Sequence, residues 1–229
     1  MPLAATADDD FGRQHTMLEV EGTTVLWQHG AGDSSGPSGL SKAQLQAELR
    51  EPLTARATLD EDEVDGVLQA ANAMASSYDV AYGFAHAALF LHRDGYFRRV
   101  LPALCERLEA QMRRAAVVWH GAEAADALAL RCVEFHTYQA GGGLLDVDHR
   151  DTGSAVSMSI LLSDAAQMDG GRFVTWGASG PTAHALARGD AVLFDSEKRH
   201  NVTTVRRGVR HSLVLELWCG PRNALDRDK

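Results

Sequence analysis

The sequence has few cysteines, no long apolar run and no excess of positive charge. Its three cysteines, Cys105, Cys132 and Cys219, are odd in number and form no Cys-x-x-Cys pair. These features argue against a disulfide framework and a cysteine-based zinc site, and they favour a reducing compartment. No apolar stretch approaches the roughly 18 residues that a membrane-spanning helix requires. We therefore expect no membrane span.

The excess of negative charge argues against two classes of binding partner. The 229 residues include 22 Lys and Arg against 31 Asp and Glu, a formal net charge of −9. Nonspecific binding to nucleic acid or to anionic membranes relies on Lys and Arg, so neither partner is expected. The start of the sequence, MPLAATADDDFG, lacks the basic and apolar segments of a signal peptide. We expect a cytoplasmic protein that acts on a small molecule or a peptide; the sequence does not indicate its oligomeric state.

The length of the chain and the change from helix-like to strand-like sequence predict one domain with three regions. Residues 1–40 form an N-terminal arm, with a possible hairpin that turns at residues 21–22 and a flexible Gly/Ser loop near its end. Residues 41–125 are predicted to form a helical support region. Residues 126–229 are predicted to form a β-rich core.

The sequence of residues 41–125 predicts three helices. A capping box at its start predicts a helix over 41–50, and acidic residues open a second helix near Asp60. A third helix is predicted over 96–119 from apolar residues at helical spacing.

Short strands separated by Gly-rich or polar turns follow. The predicted strands are 130–139, 144–149, 154–163, 171–177, 182–187, 190–195, 201–206 and 209–219. Regular short strands with turn signals indicate a sandwich, jelly roll or barrel. Helices followed by strands predict an α+β fold with the helices packed on one face of the sheet.

A His-Arg-Asp triplet occurs twice, at 92–94 and at 149–151. A protein-kinase catalytic loop needs Asn five residues after its Asp. Those positions hold Arg99 and Val156, so a kinase is excluded. The first copy precedes Gly95 at the approach to a helix, which favours a turn and N-cap role.

The second triplet is a candidate for part of a metal site. His149 ends an alternating strand, and residues two apart on a strand point to the same side. His149 and Asp151 are therefore expected to converge on one ion, while Arg150 points away. An Fe(II) facial triad needs a second histidine and leaves coordination positions open. The candidate is His200, which follows an apolar strand.

Further along, polar residues suggest a carboxylate site. Arg210 and Ser212 share one face of a strand, and a guanidinium beside a hydroxyl suits a buried carboxylate. On an earlier strand Glu134, His136 and Tyr138 alternate. These three either line a pocket or belong to the core.

The motifs from about 130 to 220 occur in one order: FHTYQAGGGL, HRD, VSMSILLS, MDGGRF, GDAVLF and RHNVTTVRRGVRHS. In this order they resemble the 2-oxoglutarate/Fe(II)-dependent dioxygenases, specifically the prolyl 4-hydroxylase-like branch. The resemblance implies a double-stranded β-helix, a distorted jelly roll, supported by the N-terminal helices.

The resemblance also implies roles for single residues. Fe(II) would be bound by His149, Asp151 and His200. The distal carboxylate of 2-oxoglutarate would be bound by Arg210 with Ser212, and Tyr138 would donate a hydrogen bond to the same co-substrate. Ascorbate is implied as an optional reductant.

The implied reaction decarboxylates 2-oxoglutarate to succinate and CO2 while an unactivated C–H bond is hydroxylated. A prolyl- or lysyl-type side chain or a free amino acid is the implied substrate. The sequence differs from the prolyl hydroxylase pattern at two places that concern the substrate. Leu161 stands where prolyl hydroxylases often carry Tyr, and Arg172-Phe173 follows the double glycine.

The same residues bear on three other functions. An Fe(II) halogenase would replace the carboxylate ligand with Gly or Ala, and Asp151 argues against it. A nucleobase demethylase would usually carry a second Arg six residues after Arg210, where this sequence has Glu216. A cupin-like metal-binding or isomerase domain stays open as the alternative.

Overall fold

The computed structural model describes residues 5–8, 14–20, 23–28, 40–78, 80–81 and 85–223. In the N-terminal arm, three antiparallel strands form a small sheet in the order β1-β2-β3. They are β1 (Ala5–Asp8), β2 (Gln14–Val20) and β3 (Thr23–Gln28). The predicted hairpin is confirmed by the pairing of β2 with β3, in which Val20 lies opposite Thr23. The predicted flexible loop lies outside the described residues.

Five helices lie between the arm and the β-rich part of the described chain. They are α1 (Lys42–Leu49), α2 (Glu61–Tyr78), α3 (Tyr96–Val100), α4 (Pro102–His120) and α5 (Ala122–Asp126). Ser41 and Gln44 form the predicted capping box of α1. The single helix predicted over 96–119 is wrong, because the chain leaves the helical region at Leu101 (φ −132°, ψ 58°). The ring of Pro102 disfavours the α conformation in the preceding residue.

The remaining strands of the described chain build two main facing sheets. The larger sheet has the order β4-β12-β8-β15-β7-β6-β5, the smaller has β11-β10-β13, and β14 pairs with β9. The strands are β4 (Leu53–Ala55), β5 (Val80–Ala81), β6 (His86–Phe90), β7 (Ala129–Tyr138), β8 (Val156–Leu161), β9 (Asp169–Gly170), β10 (Phe173–Gly177), β11 (Gly180–His184), β12 (Ala191–Asp195), β13 (His200–Val202), β14 (Val205–Arg207) and β15 (Arg210–Trp218). The stretch 41–125 thus supplies three strands of the larger sheet in addition to its helices.

One predicted strand is not formed. Within 144–149, only Leu144 pairs, through a single bridge to Val202. The Asp146 carboxylate accepts from the backbone N–H of Asp148 at 3.0 Å, and its carbonyl accepts from His149 N at 3.1 Å. Aspartate favours such local turns over a strand ladder.

The larger sheet has two distinct faces. One face packs against α2 and α4 and forms the main apolar core. Its side chains include Met158, Ile160, Leu213 and Leu215 from the sheet and Val67, Leu104, Leu108 and Met112 from the helices. Because side chains alternate along a strand, the intervening residues of β7, β8 and β15 point towards the smaller sheet. The polar residues of this inner face include Glu134, Ser159, Ser212 and Glu216.

Glu109 on α4 is a buried carboxylate held by three arginines. It is 2% exposed, and its oxygens accept from Arg98 at 3.0 Å, Arg113 at 3.2 Å and Arg222 at 2.6 Å. Burial is the largest single effect and raises its pKa, but the hydrogen bonds from Arg222 and Arg98, the charge of Arg222 and the hydrogen bond from Cys105 together outweigh it and lower the pKa to about 2. The charge of Glu109 thus ties α4 to α3 and to the chain after β15.

We expect Glu109→Gln to lower the free energy of unfolding by about 2–3 kcal/mol at neutral pH, because the three guanidinium groups lose their counter-charge. The pKa of Glu109 is lower in the folded protein, so its contribution is present above about pH 4.5 and is lost towards pH 2. Urea denaturation at pH 7 and near pH 3 should show the difference between wild type and variant shrinking on acidification. The exposed Glu106→Gln is the control. An equal effect of both variants at pH 7 would contradict the prediction.

Among the described residues, no helix has the combined length and apolar character that crossing a membrane requires.

Candidate metal site and adjoining cavity

The structure brings His149, Asp151 and His200 together. The Nε2 atoms of His149 and His200 each lie 3.5 Å from Asp151 Oδ1. The candidate ligand atoms of all three residues lie within 4.8 Å of one another. Asp151 and His200 are buried and His149 is half-buried. One ion can therefore be bound by two imidazoles and a carboxylate.

Hydrogen bonds orient the three ligands. His200 Nδ1 lies 3.1 Å from the carbonyl of Lys198, and donation to this carbonyl leaves Nε2 with its lone pair towards Asp151. Asp151 Oδ2 accepts from Ser157 Oγ at 2.6 Å, and Ser196 Oγ lies 2.8 Å from that hydroxyl. Oδ1 faces the Nε2 atoms of His149 and His200. Two neutral imidazole nitrogens and one carboxylate oxygen fit a divalent ion such as Fe(II).

The expected convergence of His149 and Asp151 occurs, but no strand produces it. Asp151 N donates to the carbonyl of Ser196 at 2.9 Å, and His200 N donates to the carbonyl of His149 at 3.2 Å. Main-chain hydrogen bonds to Ser196 and His200 therefore hold Asp151 and His149 beside His200.

The two His-Arg-Asp copies differ in environment. Arg150 turns away from the site and donates to Glu48 at 2.8 Å, as predicted. The N-cap role expected for the first copy is wrong, because Gly95 occupies the N-cap of α3 and no side chain caps it. Asp94 lies in a short 3₁₀ helix, Arg93–Gly95, at φ 51°, a left-handed conformation that Asp tolerates. His92 is buried against the main chain of β7.

A cavity of about 630 Å³ adjoins the three ligands, a size typical of small-molecule sites. The inner faces of β6, β7, β8 and β15 form one wall. The side chains on this wall are His86, Glu134, His136, Tyr138, Ser159, Ser212, Val214 and Glu216. In the described part of the chain, neither Lys nor Arg lines this cavity.

The Arg210 side chain is a buried cation behind this wall. It is 1% exposed, donates to the Gly171 carbonyl at 2.9 Å and to Ser212 Oγ at 2.7 Å, and lies 5.6 Å from the Tyr138 ring centroid. Ser212 and Tyr138 line the main cavity, whereas Arg210 lines an adjoining cavity of about 490 Å³. Phe173 lies in the wall of both cavities. Burial lowers the pKa of Arg210, and Tyr138 opposes this effect.

Sequence reasoning did not single out His86. Its Nε2 lies 2.9 Å from His136 Nδ1, and His136 Nε2 lies 3.0 Å from Glu134 Oε2. The His86 ring also stacks on Tyr138 with centroids 4.0 Å apart. Burial first, and His136 second, lower the pKa of His86 to about 3. The available signal was the short apolar run AHAALF (85–90), which is compatible with a buried strand.

No protein-family model matches the chain. Among curated proteins, it is 41% identical over 59 residues to a PKHD-type hydroxylase of Maricaulis maris (strain MCS10), covering 26% of this chain and 27% of the relative. It is 40% identical over 86 residues to a PKHD-type hydroxylase of Caulobacter sp. (strain K31), covering 33% of this chain and 38% of the relative. The chain thus spans well under half the length of these relatives.

Solved structures match over most of the chain. A 2OG-Fe(II) oxygenase family oxidoreductase of Burkholderia pseudomallei matches with TM-score 0.55 at 19% identity, covering 86% of this chain and 97% of that one. A prolyl hydroxylase of Trichoplax adhaerens, in complex with a hypoxia inducible factor peptide fragment, matches with TM-score 0.58 at 14% identity, covering 81% and 94%. The epimerase SnoN, in complex with Fe3+, alpha ketoglutarate and nogalamycin RO, matches with TM-score 0.55 at 15% identity, covering 82% and 88%.

These likenesses confirm the predicted α+β architecture with a double-stranded β-helix core. The chain has the fold of the 2-oxoglutarate/Fe(II)-dependent oxygenases, prolyl hydroxylases among them, and resembles PKHD-type hydroxylases in local sequence.

Proposed function

We propose that this protein is an Fe(II)- and 2-oxoglutarate-dependent dioxygenase that hydroxylates an unactivated C–H bond. One observation carries the proposal: a triad suited to Fe(II) and the contacts of a buried guanidinium open onto the same cavity. His149, Asp151 and His200 line it on one side. Ser212 and Tyr138, which contact Arg210, line it on another.

The triad would hold Fe(II) through His149 Nε2, Asp151 Oδ1 and His200 Nε2. Three protein ligands leave positions on the ion for co-substrate and oxygen. When bound, the iron supplies the oxygen activation that C–H hydroxylation requires. Ser157 and the carbonyl of Lys198 hold the ligands in orientation for this role.

The carboxylate anchor follows from burial and charge. Arg210 has no carboxylate partner among the residues that the structure describes, and a buried cation is costly unless an anion accompanies it. The distal carboxylate of 2-oxoglutarate supplies that anion, and Ser212 adds a hydroxyl. Burial raises the pKa of Tyr138, so its phenol keeps its proton and serves as a hydrogen-bond donor.

Apolar side chains complete the cavity around the metal site. They are Leu144, Phe173, Phe194, Val202 and Val214. By excluding water, they would protect the reacting carbon from side reactions.

The proposed products are succinate, CO2 and a hydroxylated substrate. The substrate proposed is a prolyl- or lysyl-type side chain of a peptide or a free amino acid. Structural neighbours support both a peptide and a small molecule as substrate, since one is a prolyl hydroxylase in complex with a peptide and another is in complex with nogalamycin RO. Ascorbate as a reductant rests on the family resemblance alone. The alternative, a cupin-like domain without this reaction, does not account for Arg210.

Anaerobic titration of the metal-free protein with Fe(II) and 2-oxoglutarate tests the proposal. A weak visible charge-transfer band should appear in wild type and be absent from His200→Ala, because the variant loses one of three ligands. Admitting oxygen should then yield succinate from wild type. No band in wild type at saturating ligand would contradict the function, and a band retained in His200→Ala would remove His200 from the metal site.

A further inference from the structure

The cavity wall beside the metal site carries two buried carboxylates. Glu134 on β7 is 2% exposed and Glu216 on β15 is 1% exposed, yet both line the cavity. A ligand oxygen of each, together with Cys132 Sγ, lies within a group whose atoms are all within 4.8 Å of one another. Like charges this close repel strongly where water is scarce. A cation placed between them would relieve the repulsion.

Glu216 is held from behind the wall. Its Oε2 accepts from Ser154 Oγ at 2.6 Å and lies 3.5 Å from Arg131 Nη1. Neither Ser154 nor Arg131 lines the cavity. Glu216 is therefore anchored at one border of the site.

The two histidines beside Glu134 fix the direction of a hydrogen-bond chain. With both rings neutral, only one arrangement satisfies both contacts: His86 Nε2–H donates to His136 Nδ1, and His136 Nε2–H donates to Glu134 Oε2. The low pKa of His86, set first by its burial, agrees with a neutral ring. The chain ends on Glu134 Oε2 as the acceptor, which fixes the orientation of this carboxyl group at the cavity.

A separate polar group faces the same space. The Ser159 side chain is buried, with 2% exposure, and lines the cavity. Its hydroxyl makes no hydrogen bond within the described part of the chain. The strand register places Ser159, Val214 and Glu134 in one row across β8, β15 and β7. Because β15 separates β8 from β7, Ser159 and Glu134 are two strand spacings of about 4.8 Å apart. A polar ligand group placed over Val214 therefore lies between them.

The position of Glu134 separates it from the co-substrate site. It lies four residues along β7 from Tyr138, or about 13 Å of strand. The four carbon–carbon bonds of a five-carbon diacid span at most about 6 Å. The Glu134 end of the wall is therefore left for the substrate.

We infer that the substrate carries a protonated amine, which binds the Glu134 carboxylate with Glu216 and Ser159 nearby. The inference rests on the proposed function and makes the substrate an aliphatic amine, such as a basic amino acid or a lysyl side chain. An ammonium group has three donors and no acceptor, which matches a wall of carboxylate and hydroxyl oxygens. A second metal ion is the competing occupant; Cys132, its third candidate ligand, does not line the cavity.

Two isosteric probes that differ in charge test the inference. Pentylammonium and 1-pentanol are titrated anaerobically into the Fe(II)/2-oxoglutarate-loaded protein, with binding followed by calorimetry, and into the metal-free protein in parallel. We expect wild type to bind pentylammonium at least about tenfold more tightly, or about 1.4 kcal/mol. Glu134→Gln should remove the preference, and Glu134→Asp should reduce it. The exposed Glu123→Gln, which removes one charge elsewhere, is the matched control and should keep it.

Several results would overturn the inference. These are equal binding of the two probes to wild type, no binding of either at 50 mM, a preference that survives in folded Glu134→Gln, and a second bound metal equivalent that this variant loses. Circular dichroism checks that each variant is folded. If Glu134→Gln does not fold, the preference of wild type for pentylammonium over 1-pentanol still tests the inference. Failure of the proposed function looks different, because the Fe(II)/2-oxoglutarate band is then missing while the probes still report on the metal-free protein.

Discussion

Replacing Asp151 with Asn is expected to weaken Fe(II) binding by at least about 100-fold, more than the 10–100-fold typical of residues that only orient a ligand. The carboxylate is the one charged ligand of the triad, and the amide that replaces it offers a neutral oxygen. The hydrogen bond from Ser157 at 2.6 Å should still hold the side chain in place. Anaerobic competition with a chromophoric chelator measures the affinity directly.

Thermal denaturation gives a second measurement of the same change. A ligand that binds the folded state raises the midpoint of unfolding, so Fe(II) should raise it for wild type and not for Asp151→Asn. Without metal, the variant should be no less stable, because a buried charge has been removed. The exposed Asp148→Asn in the same loop is the control. Fe(II) affinity within about threefold of wild type would exclude Asp151 as a ligand.

The strands were predictable where the signal is local. The alternating side chains of β7 and β15 and the apolar runs of β8 and β12 can be read within each segment. Their order in the sheet could not be read in the same way, because β15 pairs with β7 and β8 across about 50 to 90 residues of chain. Long-range pairing of this kind depends on which faces bury together.

The site shows the same division between local and long-range information. His149 and Asp151 were expected to meet by strand alternation. They meet because the segment that leads to His200 pairs with their main chain. His86 was missed because a short apolar run is compatible with a buried helix as well as a strand. Only its pairing opposite Tyr138 brings it to the cavity wall. Motif order predicted which groups belong together, and tertiary contacts determine how they are oriented.

Replacing Arg210 with Ala is expected to weaken 2-oxoglutarate binding by on the order of 2–4 kcal/mol, or about 30- to 1,000-fold. Arg210 lies directly opposite Tyr138 in the β15–β7 pair and is 1% exposed. The carboxylate of the co-substrate would then enter a site without a cation. The measurement is anaerobic titration of the Fe(II)-loaded protein with 2-oxoglutarate, followed by the KM for 2-oxoglutarate in succinate production.

Two further variants separate charge from geometry. Arg210→Lys keeps the positive charge but loses the planar fork, so it should recover part of the affinity. Arg207→Ala removes an exposed arginine three residues away and should leave the affinity unchanged. Fe(II) binding in the absence of 2-oxoglutarate should also be retained by Arg210→Ala, because none of the three ligands contacts Arg210 in the structure. If Arg210→Ala retained the affinity of wild type for 2-oxoglutarate, the co-substrate carboxylate would have to bind elsewhere, and the buried guanidinium would serve only to hold Ser212 and the Gly171 carbonyl.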